Sequence, residues 1–205
     1  MIKTQKKLNL SFYDRKDVVQ IARELLGKIL VTQIDGLRCS GRIVETEAYA
    51  GIHDRACHAF GGKRTSRSED LYGEPGTVYI YICYGMHHLF NVITNKKDVP
   101  HAVLIRAVEP LEGIDYMLAR SGKEVVDFTL TKGPGNLARS MGMSKMFSGV
   151  NLFSDVIFIE DDGLRYKKDQ IKITKRIGVE SAREDAELPY RFIVKGNPCV
   201  SSRKS

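Results

Sequence analysis

RIVETEAYAGIHDRACHAFGGKRTSR (residues 42–67) and, a short link later, GTVYIYICYGMHHLFN (residues 76–91) decide how this chain is read. The first opens as a strand carrying carboxylates and passes into a loop of histidines and basic residues; the second is a strand carrying tyrosines. Along Ile43 to Ala48 the two-residue period of a strand puts Glu45 and Glu47 on one face, about 6.5–7 Å apart, and Val44, Thr46 and Ala48 on the other. From Thr77 to Tyr84 the same period turns Val78, Ile80 and Ile82 toward a core and presents Tyr79, Tyr81 and Cys83 on the opposite face. Tyr84-Gly85 reads as the exit turn. Between the two strands, residues 51–76 combine glycines and charges with few apolar side chains, which predicts a long irregular surface loop.

Outward from there, KILVTQI (residues 28–34) is rich in β-formers, Asp35-Gly36 is a tight-turn signal, and Leu37 to Tyr49 returns as the partner strand. This hairpin delivers ETEAY at its far end. Upstream, Asp14 is expected to cap a helix with Val18, Ile21, Ala22, Leu25 and Leu26 at helical spacing and Gly27 as its stop. Downstream, Leu89–Thr94 and Ala102–Val108 read as strands, the second with one charge, Arg106, that is either paired or aimed at a ligand. Helices are expected at Glu112–Arg120, stopped by Gly122, and at Gly135–Met141 after Gly133-Pro134. That Gly-Pro entry suits an ordinary helix start or an anion site. Val156–Glu160, Ile171–Thr174 and Arg191–Lys195 read as strands, Asp161–Gln170 as a turn, and Ser201–Ser205 as a frayed basic tail.

The 205 residues are enough for one domain with a substantial core, and no Pro/Ser-rich linker divides them. Lys and Arg outnumber Asp and Glu by 32 to 25, a net +7 with a pI near 9.2, which favours a polyanionic partner such as nucleic acid. The N-terminal MIKTQKKLNLSFY lacks the apolar run of a signal peptide, and no stretch reaches the roughly 18 apolar residues of a membrane span. A soluble, cytoplasmic protein is expected. Cys39, Cys57, Cys83 and Cys199 lie far apart and read as reduced thiols.

Glu45 and Glu47 can be an acid/base pair of the kind that cleaves glycosidic bonds, or simply solvated or ion-paired strand residues. His53, Asp54, Cys57 and His58 are metal-ligand types, yet HDxxxCH matches no zinc or iron spacing, so no metal is expected. His87 and His88 are consecutive and should point apart. Rings presented from a strand in a basic protein can stack a nucleobase, and an aromatic at a turn can wedge into a duplex. A carboxylate, aromatic platforms and a basic loop together make the parts for removing an extruded base from DNA.

With GRIVETEAYAG, RACHAFGGKRTSR, PGTVYIYICYGMHHLFNV, AVLIRAVEPLEG, GPGNLARSMG and IGVESARE…PYRFIVKGNPCVS in the same order through nearly its whole length, the chain closely resembles the alkyladenine (3-methyladenine) DNA glycosylase family. The resemblance implies a mixed α/β (α+β) fold, one compact domain with a curved, mainly antiparallel sheet flanked by helices. It implies monofunctional excision of alkylated or deaminated purines from double-stranded DNA, with no metal or organic cofactor, by a protein expected to be a monomer. Residue by residue, Glu47 matches the general base; Tyr49, His58 and Tyr81 match residues lining the base pocket; and Asn91 matches the residue that obstructs guanine's exocyclic amino group. Tyr84 matches the tyrosine that enters the duplex, and Arg106 the arginine that helps fix the flipped nucleotide. The His87-His88 pair departs from the family pattern. Lys63, Arg64 and Arg67 are expected phosphate contacts, with a solvated basic loop as the alternative. Competing readings are a bifunctional lyase using Lys132, a non-catalytic damaged-DNA binder, and a carbohydrate hydrolase using Glu45 and Glu47.

Overall fold

In the computed structural model, which describes residues 6–201, Asp35 (φ 54°) and Gly36 (φ 74°) both occupy the left-handed region. That is the backbone a two-residue hairpin turn requires. The strands it joins face each other from Ile34↔Leu37 to Ile29↔Arg42, and the second continues seven residues further, to Tyr49.

Among the described residues, nine antiparallel strands form one sheet: β1 (Lys6–Lys7), β2 (Ile29–Ile34), β3 (Leu37–Tyr49), β4 (Val78–Cys83), β5 (His87–Thr94), β6 (His101–Glu112), β7 (Ile157–Asp161), β8 (Ile171–Thr174) and β9 (Arg191–Val194). Their order is β1-β7-β2-β3-β6-β5-β4, with β9 pairing both β3 and β8. The helices are α1 (Leu10–Tyr13), α2 (Val18–Glu24), α3 (Ile114–Ser121) and α4 (Pro134–Ser140), with short 3₁₀ turns in the connections. The mixed, mainly antiparallel architecture expected from the family resemblance is therefore present.

The long β3 organises the sheet. Its first half pairs β2, Glu45–Glu47 pairs β9 on that same side, and β6 runs along its other edge. Glu47 thus sits mid-sheet in a row of Cα partners that crosses five strands: Tyr79↔Asn91↔Leu104↔Glu47↔Arg191. Partners in a row share a face, so strand pairing alone brings Tyr79, Asn91 and Glu47 to one side.

The opposite face carries Val44, Ala48, Ile80, Val92, Val103 and Ile105, buried in one cluster with Val18, Ile21 and Ala22 of α2 and Leu137 and Ala138 of α4. Thr46 Oγ1 donates to Ala22 O at 2.7 Å, pinning α2 to β3.

Several expected boundaries move. The cap of α2 is Asp17, whose carboxylate accepts from Gln20 N at 2.9 Å; Asp14 instead closes the one-turn α1. The helix expected from Glu112 begins at Ile114, because Glu112 is held to the sheet by Arg38 and Ser40, each at 3.0 Å. Ile82 is 39% exposed, since β4 runs past the core into the hairpin tip. The loop at residues 51–76 contains three 3₁₀ turns. Of the expected frayed tail, Ser201 is docked through its N–H and hydroxyl onto Glu45, at 2.7 Å and 2.6 Å, and residues 202–205 lie outside the described residues. All four cysteines are free thiols.

Candidate active site

The two glutamates of β3 have different surroundings, although both are fully buried. Glu45 Oε1 accepts from Arg106 Nε (2.9 Å), Arg191 Nε (2.7 Å) and Ser201 Oγ (2.6 Å), and Oε2 accepts from Ser201 N (2.7 Å). Two guanidiniums and Ser201 saturate it. Glu47 accepts from Tyr49 Oη (2.9 Å) and Arg106 Nη1 (3.3 Å) on Oε2 and from Ile177 N (2.9 Å) on Oε1. A carboxylate has about four acceptor positions, so Glu47 keeps one for a further donor.

Arg106 resolves the choice posed by its lone charge in an apolar strand: it is paired. Cross-strand irregularities at Ile43/Glu45 and Glu45/Thr46 fall where Arg106 lies opposite, and the guanidinium bridges both carboxylates. Their charges favour its cationic form against a burial cost.

Tyr49 connects Glu47 to a pocket lined by Tyr49, His58, Tyr79, Tyr81, Asn91 and Cys57, with about 30 Å³ of free space. His58 Nδ1 lies 2.9 Å from Tyr79 Oη, and its ring meets Tyr81 edge-on at 4.5 Å. Asn91 Nδ2 donates to Tyr79 O (3.1 Å) and Leu89 O (3.0 Å), which fixes the amide orientation. Burial pushes the Tyr49, Tyr79 and Tyr81 hydroxyls far above the ordinary phenol range, and Glu47's charge adds to the effect at Tyr49. All three therefore remain neutral donors. Burial, aided by the Arg67 charge, lowers the His58 pKa below the ordinary imidazole value; burial likewise raises the Cys57 thiol to about 11, where it is not a nucleophile.

Tyr84, at the tip of the β4–β5 hairpin, is 89% exposed with φ 50°. Arg67 Nη2 reaches Ile82 O just below the tip of the same hairpin (3.0 Å). Arg64 is held by Glu69 (2.6 Å) and Asp98 (2.7 Å), so any phosphate would have to compete with two carboxylates. Lys63 lies exposed in the same loop. The His87 ring lies against Gly135 at the start of α4, and His88 Nδ1 accepts from Lys145 N at 3.1 Å, so the two imidazoles serve different neighbours.

Several residues of the site were not predicted from sequence. Asp54, considered only as a metal-ligand type, binds Arg176 in a buried bidentate pair (2.6 Å and 2.9 Å). Arg176 in turn covers the Tyr49 ring at 4.8 Å. Arg191, Ser201 and the Ile177 N–H also belong to the glutamate network. Among the described residues, no group of three or more His, Cys, Asp or Glu is placed to hold a metal ion, and no helix is long and apolar enough to cross a membrane.

The site thus joins a mid-sheet carboxylate through a tyrosine to an aromatic pocket, in a basic chain. A model of the Methylpurine-DNA glycosylase (MPG) family matches residues 11–198. The chain is 46% identical over 205 residues to a protein from Clostridium perfringens (strain 13 / Type A) named "Putative 3-methyladenine DNA glycosylase", covering 96% of this chain and 100% of the relative. Proteins of the same name from Alkaliphilus oremlandii (strain OhILAs) and Bacillus thuringiensis (strain Al Hakam) are 43% and 44% identical, covering 96% and 94% of this chain and 100% and 98% of theirs. The chain belongs to the methylpurine-DNA glycosylase family, and is accordingly a DNA glycosylase, a hydrolase of N-glycosidic bonds that acts in DNA repair.

Proposed function

We propose that this enzyme extrudes alkylated purines of the 3-methyladenine type, and deaminated or etheno-bridged purines, from duplex DNA and hydrolyses their N-glycosidic bond with Glu47 as general base. The observation that carries the reading is the environment of Glu47: three donors orient its carboxylate, one acceptor position remains, and Tyr49 ties it to the aromatic pocket. In the reaction, water bound at the remaining position attacks C1′ and gives its proton to Glu47, while the glycosidic electron pair leaves with the base. The buried negative charge also stabilises the electron-poor sugar as the bond breaks. Arg106 and Ile177 N–H act by holding the carboxylate in place.

Tyr49, His58 and Tyr81 are proposed to hold the base. A cationic methylated purine gains about 0.5–2 kcal/mol from each well-placed tyrosine face, whereas a neutral lesion depends on shape and hydrogen bonding. The pocket's 30 Å³ of water-accessible space exceeds the roughly 10–15 Å³ that a single water needs, and the base is proposed to enter it beside the His58 and Tyr81 rings. Asn91, its nitrogen held by two carbonyls, is the obstacle to guanine's amino group. Tyr84 is proposed to fill the gap left in the duplex, with Lys63 and Arg67 on nearby phosphates. Lys132 lines a groove separate from this pocket, which favours hydrolysis without a lysine Schiff base. One molecule suffices for one extruded nucleotide, and a monomer is proposed.

The test is single-turnover release of free base from duplexes bearing a methylated purine, hypoxanthine or ethenoadenine, comparing the unaltered protein with Glu47→Gln. The variant is expected to bind lesion DNA but to be slower by about 10²–10⁴-fold. Equal rates would remove Glu47 from its role, and release of none of these bases by the unaltered protein would refute the substrate assignment.

A further inference from the structure

Beyond the base pocket, the same face of the sheet carries a second feature that the chemistry above does not use. β8 and β9 pair so that Lys172 lies opposite Ile193 and Thr174 opposite Arg191, and β9 pairs β3 so that Ile193 lies opposite Glu45 and Arg191 opposite Glu47. Row partners share a face, and the two-residue period adds Lys195 beside Ile193. Lys172 and Lys195 therefore stand on the glutamates' side of the sheet, with Lys172 about 10 Å from Glu45 by the spacing of two strands. Lys132 joins them from another direction: its backbone bridges to Ala107 of β6. It precedes by three residues Gly135, which touches His87 beside the tip of the hairpin bearing Tyr84.

These lysines line a groove of about 540 Å³ with Thr174, Arg191, Asn197 and Ser201, and no carboxylate is among its lining residues. Arg191 is committed to Glu45, Thr174 and Ser201. The lysines are different: among the described residues, none of the three forms an ion pair. By contrast Arg64 and Arg176, elsewhere on the molecule, are neutralised by carboxylates. Three ammonium groups without an ion pair among the described residues, along one groove on the reacting face whose adjoining carboxylate, Glu109, is engaged by Asn197 at 3.0 Å, make a track for a chain of phosphates spaced along a strand.

We propose that this groove, with Lys132, Lys172 and Lys195 as its cationic contacts, holds the backbone of the DNA strand flanking the extruded nucleotide, on one side of the lesion only. The proposal rests on the reading of Glu47 and its pocket as the place where the base is removed. The groove gives affinity and register, while the chemistry stays with Glu47. Each lysine acts as a point charge on a phosphate and reads no base.

The test uses the full chain with Lys132→Gln, Lys172→Gln and Lys195→Gln combined. A control carries Lys6→Gln, Lys96→Gln and Lys97→Gln, which remove the same charge from exposed positions outside the groove. Binding to an undamaged duplex is measured over a range of salt concentrations, so this arm needs no base release. Loss of three phosphate contacts is expected to flatten the slope of log affinity against log salt by about 2–3, since each contact contributes about 0.9; the control is expected to change it by less than about 1. Lesion duplexes shortened on one side or the other then locate the contact: the groove variant should match the unaltered protein on one truncation and bind more weakly on the other. Equal slopes for the groove variant and control, or equal losses on both truncated duplexes, would overturn the proposal. Absence of base release by the unaltered protein would instead refute the reading of Glu47, with the groove still judged by the salt slope.

Discussion

Glu45 and Glu47 are two residues apart, equally buried and bonded to the same arginine, yet their chemistry diverges because of what fills the remaining acceptor positions. Arg191 and Ser201 close off Glu45, whereas Glu47 is left with a tyrosine, a backbone N–H and an opening. Glu45 is thus a structural ion-pair partner that holds Arg106 in line with Glu47 and docks Ser201. Glu45→Gln is expected to destabilise the protein by about 3–5 kcal/mol, because two buried guanidiniums lose their shared counter-charge. Glu47→Gln should disturb stability less, since Arg106 keeps Glu45 as its counter-charge and Arg191 does not depend on Glu47. Denaturant unfolding of the two variants side by side checks this, and equal midpoints would show that Glu45 has no special structural part. Asp54 and Arg176 follow the same logic one step further out: their buried pair keeps a guanidinium against the Tyr49 ring, so Tyr49 is positioned from behind while its hydroxyl orients Glu47.

The β4–β5 hairpin shows the same division between folding and function within one element. Tyr84 holds φ 50° at an exposed tip, a conformation that costs an L-residue about 1–2 kcal/mol and favours glycine. Tyr84→Gly is therefore expected to leave the unfolding midpoint unchanged or slightly raised. Affinity for lesion DNA should fall by about 5- to 150-fold, the range of about 1–3 kcal/mol for a lost stacking ring. Thermal unfolding and a lesion-duplex titration read the two effects separately, and a variant both less stable and equally tight would contradict the assignment. Elements of this sort were legible in sequence because their signals are local: the two-residue periods of β3 and β4 and the Asp35-Gly36 turn, whereas the cross-strand register that puts Tyr79, Asn91 and Glu47 in one row is seen only in the folded sheet. What sequence left open depends on contacts between distant segments. Glu112 reads as the start of a helix until Arg38 and Ser40 hold it in β6, and Asp54 reads as a candidate ligand until Arg176, 122 residues away, meets it. Ser201 reads as tail until Glu45 captures it. Local pattern specified the strands and their faces; long-range ion pairs specified which charged side chains serve the fold.

At the scale of the whole molecule, one sheet links every element just described, and a single domain with one cooperative unfolding transition is the expected behaviour. Its pH dependence follows from two histidines. Burial lowers the pKa of His58, with Arg67 adding to it, and burial lowers that of His101 against the opposing pull of the Lys16 backbone, Asp17 and Asp54. An imidazole held below its unfolded value of about 6.5 means that the unfolded chain binds more protons than the native one. Stability is then fully present above that value and declines as pH falls through it toward the folded pKa. Glu69, Glu112, Asp127 and Asp161 run the other way in origin, since arginine, lysine, serine or threonine partners hold them below the usual carboxylate range. Their contribution is also lost on acidification, but only below about pH 4. A scan from about pH 8 to about pH 5 isolates the histidines. The denaturant midpoint is expected to fall across that interval, and His101→Gln should flatten the fall relative to the unaltered protein while both unfold in a single transition. If the midpoint of the unaltered protein stays level between those limits, the neutral imidazoles are not linked to folding. If it falls but the His101→Gln profile runs parallel to it, the linkage belongs to His58 alone, and the base pocket itself is the acid-sensitive part of the fold.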